Sequence, residues 1–405
     1  MSSSESSSRS VPGQDGPAIL QILPRLDTGG VERGTIEIAQ ALAEAGAKPI
    51  VVSAGGILEH ELARCDAVHI RLPVDSKNPW RMWRNVDLIA DVIKRYDVKL
   101  VHARSRAPAW SAMAAARRTG VPFVTTFHGT YNLGPLGIKR AYNRVMAAGD
   151  RVIAISQFIA RHVQEIYHTP PERVRVVPRG VDLERFNIGA VSPERMIQLS
   201  HEWRIPEDLP VIMLPGRLTR WKGQHVVIEA LARLGRHDLR CLLVGSDQGR
   251  SRYREGLVRA ITDKGLADVV HIVDGCHDMA AAYLLTDFVL SASTDPEAFG
   301  RVIVEAQAMG RPVIATRHGG ALETVVEGET GWLVAPGDPG DLARAIADAL
   351  ALSPAERERM AKACIASVRK TYSKTLMCER TLRVYAELLD EAVPAAHAGP
   401  EAAPA

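Results

Sequence analysis

Short apolar segments alternate with longer segments of helical periodicity along almost the whole chain. Most of the short segments are rich in β-branched residues and lack polar–apolar alternation, as expected for strands buried on both faces of a sheet. This alternation predicts repeated βαβ units and an α/β fold with parallel sheets. The predicted strands are 18–23, 49–53, 99–103, 123–127, 152–155, 174–177, 211–214, 239–244, 269–273, 288–291, 313–315 and 332–334. The predicted helices include 31–45, 86–95, 109–119, 224–234, 302–309 and 341–350.

The alternation pauses at 182–209, where several prolines interrupt it, and a new strand begins at Val211. Because one domain usually has about 100–200 residues, this pause in a chain of 405 residues predicts a domain boundary at about 185–210. We predict two Rossmann-like, doubly wound domains, residues 17–190 and 205–372, which face each other across a cleft. The Ser-rich residues 1–16 and the Ala/Pro/Gly-rich residues 394–405 are predicted to be disordered tails.

Composition excludes several classes of protein. Apolar residues make up 46% and charged residues 24%, which is typical of globular proteins and not of a disordered or coiled-coil chain. The mean hydropathy is −0.05 and no apolar run approaches 20 residues, so no transmembrane helix is predicted. The five cysteines form no C-x-x-C pair, and the N-terminus lacks the apolar region of a secretory signal. These features predict reduced thiols and a cytoplasmic protein.

The net charge of +3 conceals a strong asymmetry. The segment from Arg71 to Gly180 has 19 Lys and Arg against 7 Asp and Glu, an excess of 12 positive charges. The remainder has an excess of 9 negative charges. A basic segment attracts nucleic acid, anionic membranes or phosphorylated substrates. We expect no nucleic-acid partner because no nucleic-acid-binding motif is present.

Two glycine-flanked loops follow predicted strands and have groups that suit a phosphate. Gly29 and Gly30 precede a helix, where a tight turn and backbone N–H groups can receive a phosphate; the pair is equally suited to a simple turn. Arg217 and Lys222 follow the strand at 211–214 beside another helix start, and two cations there suit a diphosphate. The alternative is that both cations are solvated surface charges.

A third loop connects the strand at 288–291 to a helix and has two glutamates. Glu297 lies in the loop, Gly300 opens the helix, and Glu305 lies over two turns further on. The helix start can receive a phosphate, and a carboxylate such as Glu305 can accept hydrogen bonds from both hydroxyls of a ribose. The alternative is a helix-capping Glu297 and a solvated Glu305. Because Glu305 lies among apolar positions, its burial without a function would be costly.

His128 follows the predicted strand at 123–127, at the edge where ligands bind in doubly wound folds. A single histidine in this place is either a hydrogen-bonded structural residue or a catalytic one. The residue alone does not decide between these roles.

Together these motifs resemble glycosyltransferase family 4, whose members have the GT-B fold. The resemblance is based on the two glutamates with seven residues between them, the Gly-Arg-Leu-x-x-x-Lys-Gly loop and the early Gly-Gly-x-Glu loop. Further matches lie at 126–129, 154–156, 177–182 and 313–323. The resemblance covers roughly residues 18–390. The sequence around 105–110 and 126–131 looks like that of bacterial enzymes that build lipopolysaccharide core or similar surface glycans.

The resemblance implies a retaining transfer of a hexose of the mannose or glucose type. The donor would be a GDP- or UDP-linked sugar, and the acceptor an anionic glycan or a lipid-linked molecule. By the same resemblance, Arg217 and Lys222 neutralise the leaving diphosphate. Glu297 would hold hydroxyls of the donor sugar, and Glu305 would hold the ribose.

The resemblance also assigns roles to residues outside the charged set. Backbone N–H groups around Phe299 and Gly300 would contact the phosphate. His128 would lie beside the transferred sugar, and Gly30 near the phosphates and the acceptor. A helix at 373–393 would cross back to the first domain.

The sequence predicts neither a metal nor another cofactor. It has no D-x-D spacing, which often holds a divalent metal on a nucleotide diphosphate, and Arg217 and Lys222 can replace that metal. No clear carboxylate nucleophile is present, which favours front-face substitution over a covalent intermediate. Arg301, which follows the Phe-Gly pair, departs from the family pattern and leaves the identity of the sugar open.

Two segments of the basic region predict contact with an anionic membrane. Residues 137–146 are predicted as a helix with Ile138, Tyr142 and Val145 on one stripe, and residues 80–84 interleave two tryptophans with arginines. The alternative is an ordinary amphipathic helix whose stripe lies in the core. A third possibility is a phosphorylated acceptor bound by Arg104, Arg106, Arg117 and Arg118. Membrane contact would place the protein on the cytoplasmic face of the inner membrane.

Three other functions remain open at this stage. A nucleotide-sugar epimerase of the same fold would act without an acceptor. An NAD-dependent dehydrogenase with two Rossmann units is disfavoured, because the first glycine loop is not a G-x-G-x-x-G fingerprint. A non-catalytic sensor of sugar nucleotides could retain the same charged residues.

Overall fold

The computed structural model describes residues 16–249 and 251–391, so the predicted tails lie outside the described residues, except for Gly16. The chain divides into two compact units. The first comprises the residues up to Ile155, then Ile159–Val177, and the described residues from Cys378 onward. The second comprises Ser156–Phe158 and Pro178–Met377. None of the described helices combines the length and apolar composition that crossing a bilayer requires.

The first unit has a parallel sheet of seven strands. The strands are β1 (Ala18–Ile22), β2 (Lys48–Ser53), β3 (Val68–Arg71), β4 (Val98–Ala103), β5 (Phe123–Phe127), β6 (Arg151–Ala154) and β7 (Val174–Val176). Their order is β3-β2-β1-β4-β5-β6-β7, so the order reverses between β1 and β4. The helices are α1 (Gly30–Glu44), α2 (Glu59–Ala63), α3 (Pro79–Arg95), α4 (Arg106–Thr119) and α5 (Lys139–Asn143).

The second unit has a parallel sheet of six strands. These are β8 (Val211–Pro215), β9 (Arg240–Val244), β10 (Val270–Val273), β11 (Phe288–Ser291), β12 (Val313–Thr316) and β13 (Gly331–Val334). Their order is β10-β9-β8-β11-β12-β13, with the reversal between β8 and β11. Its helices are α7 (Pro193–Trp203), α8 (Gln224–Leu234), α9 (Ser251–Asp263), α10 (Met279–Leu284), α11 (Arg301–Ala308), α12 (Ala321–Thr324), α13 (Pro339–Ala351) and α14 (Pro354–Thr371).

Two helices contain residues of both units. The first residues of α6 (Gln157–Tyr167) belong to the second unit, and the rest belong to the first. The opposite holds for α15 (Lys374–Glu391), whose residues from Cys378 onward belong to the first unit. Short 3₁₀ turns lie at Pro135–Gly137, Arg144–Ala147, Pro171–Arg173, Ile188–Ala190 and Arg220–Lys222.

The hydrophobic pattern explains why these segments form strands and helices. Strands β1, β5, β8, β11 and β12 are buried along their whole length, as the lack of alternation predicted. Side chains cap several helices: Asn78 accepts hydrogen bonds at the start of α3, and Ser353 and Glu356 form a capping box on α14. The prediction of a doubly wound α/β architecture is thus confirmed.

The structure corrects two local predictions. Strand β3 was not predicted, because it is a four-residue edge strand without a buried apolar run. The segment 137–146 is not one helix: a 3₁₀ turn precedes α5, and another follows it. Its predicted stripe is divided, since Ile138 is 73% exposed and Val145 is buried.

A buried polar network holds α15 in the first unit. Tyr385 lies 2.6 Å from Nδ1 of His102, and the Thr126 hydroxyl lies 2.7 Å from Nε2 of the same ring. All three side chains are buried. Burial lowers the pKa of His102 well below its usual value, and the charge of Arg104 lowers it further, so the ring is neutral. A neutral imidazole has one donor and one acceptor nitrogen, and this network uses both.

We expect Tyr385→Phe to lower the free energy of unfolding of the first unit by about 1–3 kcal/mol, because a ring nitrogen of His102 would remain buried without a partner. Urea unfolding followed by circular dichroism measures this change. Tyr96→Phe is the matched control, since the structure shows no hydrogen bond from that half-buried hydroxyl to any described residue. Equal effects of the two substitutions would contradict the role of the network.

Candidate functional site

The reversal of strand order in the second unit brings two candidate loops together. Strands β8 and β11 are parallel neighbours, with Ile212 opposite Phe288. The loop with Arg217 and Lys222 leaves the carboxyl end of β8, and the loop with Glu297 leaves the carboxyl end of β11. Ligands bind at such a reversal in doubly wound sheets, because the two loops diverge there and leave a crevice.

Backbone contacts fix these two loops against each other. The Thr294 N–H donates to the Trp221 carbonyl at 2.7 Å. Gly223 has a φ of +75°, and a Cβ at this position would lie 1.9 Å from the Ala292 carbonyl oxygen. Any side chain there would separate the loops, so this approach requires glycine.

Lys222 and Glu297 form an ion pair between the two loops. The Lys222 ammonium lies 2.6 Å from Oε1 of Glu297, and the side chains are only 13% and 18% exposed. The Ser293 hydroxyl donates to the same oxygen at 2.5 Å. The ammonium also lies 4.5 Å from the centre of the Trp221 ring, which adds a cation–π contact. The structure therefore brings together two residues to which the sequence assigned separate roles.

Arg217 differs from Lys222 in its surroundings. It is exposed, and its guanidinium has no hydrogen-bond or ion-pair partner within the described parts of the chain. Its carbonyl accepts a hydrogen bond from the buried Gln224 side chain at 3.0 Å, and the Tyr253 hydroxyl donates to Gln224 at 3.1 Å. The backbone beneath this cation is thus held in place while the charge itself faces solvent.

Phe299 and Gly300 end the second loop at the start of α11. Gly300 is the N-cap residue and has a left-handed conformation with a φ of +83°. Phe299 is buried, and its ring meets that of Tyr372 edge-on at 5.6 Å between centres. The Ser156 hydroxyl donates to the Ala298 carbonyl at 2.6 Å. These contacts hold the loop so that the first N–H groups of α11 can receive an anion.

The loop after β12 supports the same segment from the other side. The Gly320 N–H donates to the Glu297 carbonyl at 2.8 Å. A Cβ at Gly319, whose φ is +59°, would lie 2.4 Å from that carbonyl oxygen. Close backbone contact therefore explains the two glycines at 319 and 320, which lie in the matching segment 313–323.

Glu305 is buried on α11 and is hydrogen-bonded at both carboxylate oxygens. Arg301 lies 2.7 Å from Oε1, and the Tyr283 hydroxyl donates to Oε2 at 3.1 Å. Burial and the adjacent carboxylate raise the pKa of Tyr283 well above its usual value, so the phenol keeps its proton. Arg301, the departure from the family pattern, thus contacts the predicted ribose-binding residue directly.

The two remaining predicted residues lie in the first unit, at the carboxyl edge of its sheet. Gly30 is the first residue of α1, which follows β1. His128 directly follows β5 and is half-buried. Because all seven strands are parallel, both residues lie on the edge where loops diverge between β1 and β4.

Sequence reasoning missed several residues that position the site, among them Ser293, Tyr283 and Gln224. Ser293 was detectable, since it lies four residues before Glu297 in a loop after a buried strand. Tyr283 and Gln224 were not, because an aromatic residue on a short helix and an amide at a helix start are usually structural. Among the described residues, no cluster of three or more His, Cys, Asp or Glu could hold a metal ion.

A double-mutant cycle tests the ion pair independently of activity. We expect Lys222→Met and Glu297→Gln each to destabilise the second unit, and the double variant to lose about 0.5–3 kcal/mol less than the sum of the single changes. Lys362→Met and Glu358→Gln form the control cycle, since that i, i+4 pair is 75% and 67% exposed and should show almost no coupling. Similar coupling in both cycles, measured by urea unfolding, would contradict this interpretation.

Comparison with known proteins identifies the family. The model of Glycosyltransferase Family 4 matches residues 28–185, and that of Glycosyl transferases group 1 matches residues 197–366. D-inositol 3-phosphate glycosyltransferase from Frankia alni is 32% identical over 286 residues, which are 66% of this chain and 69% of that relative.

Two solved structures share the fold over nearly the whole length. A glycosyltransferase from Rickettsia africae is 38% identical, with a TM-score of 0.86 over 93% of this chain and 99% of that one. Anabaena HepE in complex with UDP-glucose is 25% identical, with a TM-score of 0.77 over 92% and 100%. The predicted family and fold are confirmed: this chain is a GT-B glycosyltransferase and belongs to glycosyltransferase family 4.

Proposed function

We propose that this enzyme transfers a hexosyl group, with retention of configuration, from a nucleotide-diphosphate sugar to an anionic glycan or lipid-linked acceptor. The main support is the convergence of Arg217, Lys222 and the start of α11 at the reversal between β8 and β11. Three positive features at one sheet edge suit a diphosphate leaving group. UDP-glucose in HepE supports a nucleotide-sugar donor, and either UDP or GDP fits this arrangement.

In the proposed reaction, the bond between C1 of the sugar and the diphosphate oxygen breaks, and a bond between C1 and the acceptor oxygen forms on the same face. The leaving phosphate oxygen takes the proton of the acceptor hydroxyl, so no protein nucleophile is required. Negative charge grows on the diphosphate, where Arg217, Lys222 and the N–H groups after Gly300 stabilise it. No metal enters this scheme.

The ion pair between Lys222 and Glu297 gives both residues a role in this reaction. The carboxylate fixes the ammonium at the loop junction, so the cation needs little reorganisation when the diphosphate leaves. Glu297 has a second oxygen, Oε2, which we assign to the hydroxyls of the donor sugar. Glu305, held by Arg301 and Tyr283, is the proposed ribose-binding residue.

The acceptor is proposed to be anionic, and the first unit is proposed to bind it. His128 and Gly30 would lie beside the transferred sugar and the phosphates, as the family resemblance implies. The basic segment from Arg71 to Gly180 lies almost entirely in this unit. Several relatives are named for an acceptor that contains a phosphate, D-inositol 3-phosphate. We propose a place in lipopolysaccharide core or other surface-glycan synthesis.

We further propose that the enzyme works in the cytoplasm, on the inner face of an anionic membrane. Trp80 and Trp83, at the start of α3, are 79% and 67% exposed. Their rings meet edge-on at 6.3 Å, and the exposed Arg81 and Arg84 flank them. Exposed tryptophans among arginines suit a membrane interface, where the rings enter the headgroup region and the cations contact anionic lipid.

Arg217→Ala should lower kcat by about 10²–10³ while the fold stays intact, because the exposed guanidinium has only a catalytic role in this proposal. Transfer from UDP- and GDP-hexoses to a phosphorylated glycan, followed by NMR of the product anomer, measures rate and stereochemistry together. Arg220→Ala removes a neighbouring exposed cation and should remain close to wild type.

Near-normal turnover of the Arg217→Ala variant would contradict the assigned role. An inverted product would contradict retention, and epimerisation or hydrolysis without any acceptor would favour the epimerase instead. A thermal-shift panel of UDP-, GDP- and ADP-sugars identifies the donor, since a ligand bound by the native state raises the melting temperature.

The Trp80→Ser/Trp83→Ser variant should lose binding to phosphatidylglycerol vesicles in a sedimentation assay, because the side chains that enter the interface are removed. Ile188→Ser/Ile197→Ser is the matched control, since it removes two exposed apolar side chains from the second unit. Equal sedimentation of the wild type with anionic and neutral vesicles, or none with either, would contradict membrane contact.

A further inference from the structure

A separate cavity of about 460 Å³ lies in the first unit, between α5 with the turn after it and the end of α6. Its lining consists of Gly137, Arg140, Ala141, Arg144, Tyr167 and His168. The volume falls within the range of small-molecule sites, about 300–1,000 Å³. None of the residues to which a catalytic or donor-binding role has been assigned lines this cavity.

The charges at this cavity are unbalanced. Arg140 and Arg144 are four residues apart, so they are neighbours on one helical face, where like charges repel. Neither guanidinium has a hydrogen-bond or ion-pair partner within residues 16–249 and 251–391, and no described carboxylate lines the cavity. The exposed His168 adds a ring N–H that can donate to an anion. Both arginines are exposed, and two neighbouring cations without a described counter-ion suit an anion between them.

Side-chain contacts hold the wall behind the arginines in place. Arg106 lies 4.1 Å from the centre of the Tyr131 ring and donates at 2.8 Å to Asn143, the fully buried residue directly before Arg144. Phe127 joins the rings of Tyr131 and Tyr167, at 4.6 Å and 5.4 Å between centres. A wall that does not need to rearrange reduces the cost of binding a ligand.

Two features of the other wall favour a phosphate over a carboxylate. Tyr167 lines the cavity with a phenol, which can donate one hydrogen bond. His168 lines the cavity with an imidazole, which can donate from a ring N–H. Two arginines, a phenol and an imidazole therefore line one cavity. A phosphate monoester has three terminal oxygens for such a set of donors, whereas a carboxylate has two.

We propose that this cavity is a binding site for a phosphate monoester, in which Arg140 and Arg144 neutralise the phosphate and Tyr167 and His168 complete its contacts. The phosphate belongs either to a phosphorylated sugar or to a lipid headgroup. The site does not depend on the proposed transfer reaction, since binding needs no donor and no turnover.

Isothermal titration of the full-length protein with glucose 6-phosphate, without a donor sugar, tests the sugar source. Arg140→Gln/Arg144→Gln should weaken this binding at least about tenfold, because it removes two charge-assisted contacts. Arg64→Gln/Arg173→Gln, which removes two exposed charges of the first unit away from the cavity, should bind like wild type. Unphosphorylated glucose is the ligand control and should not bind.

Sedimentation with vesicles that contain phosphatidic acid tests the lipid source. Phosphatidylglycerol vesicles, whose phosphate is a diester, are the comparison, and binding to them should not depend on Arg140 and Arg144. If glucose 6-phosphate or phosphatidic acid binds, and if that binding depends on Arg140 and Arg144, the site is supported. The ligand that binds then identifies the source of the phosphate. If neither ligand distinguishes Arg140→Gln/Arg144→Gln from the control variant, the proposal is wrong. Circular dichroism of both variants excludes unfolding as the cause of any loss.

Discussion

The candidate site depends on the close approach of two loops at the point where strand order reverses in the second sheet. Gly223 can lie against the Ala292 carbonyl only because it has no side chain. That approach places Lys222 within 2.6 Å of Glu297 and aligns the loop that ends at Gly300. The arrangement of charged groups is therefore a consequence of backbone geometry. Side chains contribute charge at positions that the sheet and its glycines have already determined.

The two carboxylates of the site illustrate two ways of keeping charge near the protein interior. Glu297 is balanced by an ammonium from another loop and by a serine of its own loop. Glu305 is balanced by an arginine four residues earlier on its own helix and by a buried phenol. In both cases each charge has a partner, as partial burial requires. A ligand would therefore enter an ordered hydrogen-bond network and exchange partners within it.

The sequence predicts much of this architecture because buried parallel strands give an unambiguous signal. Strands β1, β5 and β8 and the helix at 224–234 match their predicted positions closely. Strand β3 and the start of α3 were not predicted, because a short edge strand and exposed tryptophans give no periodic apolar signal. In the candidate site, charged residues were predicted from glycine-flanked loops that follow strands. The pairing of Lys222 with Glu297, 75 residues apart, was not, because side-chain contact depends on register and rotamer.

The contact between His102 and Tyr385 joins residues that are 283 positions apart, with the second unit inserted between them in the sequence. At translation rates of about 5–20 residues per second, roughly 15–60 s separate the synthesis of these two residues. During that interval Nδ1 of His102 lacks its Tyr385 partner. Completion of the first unit therefore awaits the last helix, whose residues from Cys378 onward are synthesised directly after the second unit ends at Met377.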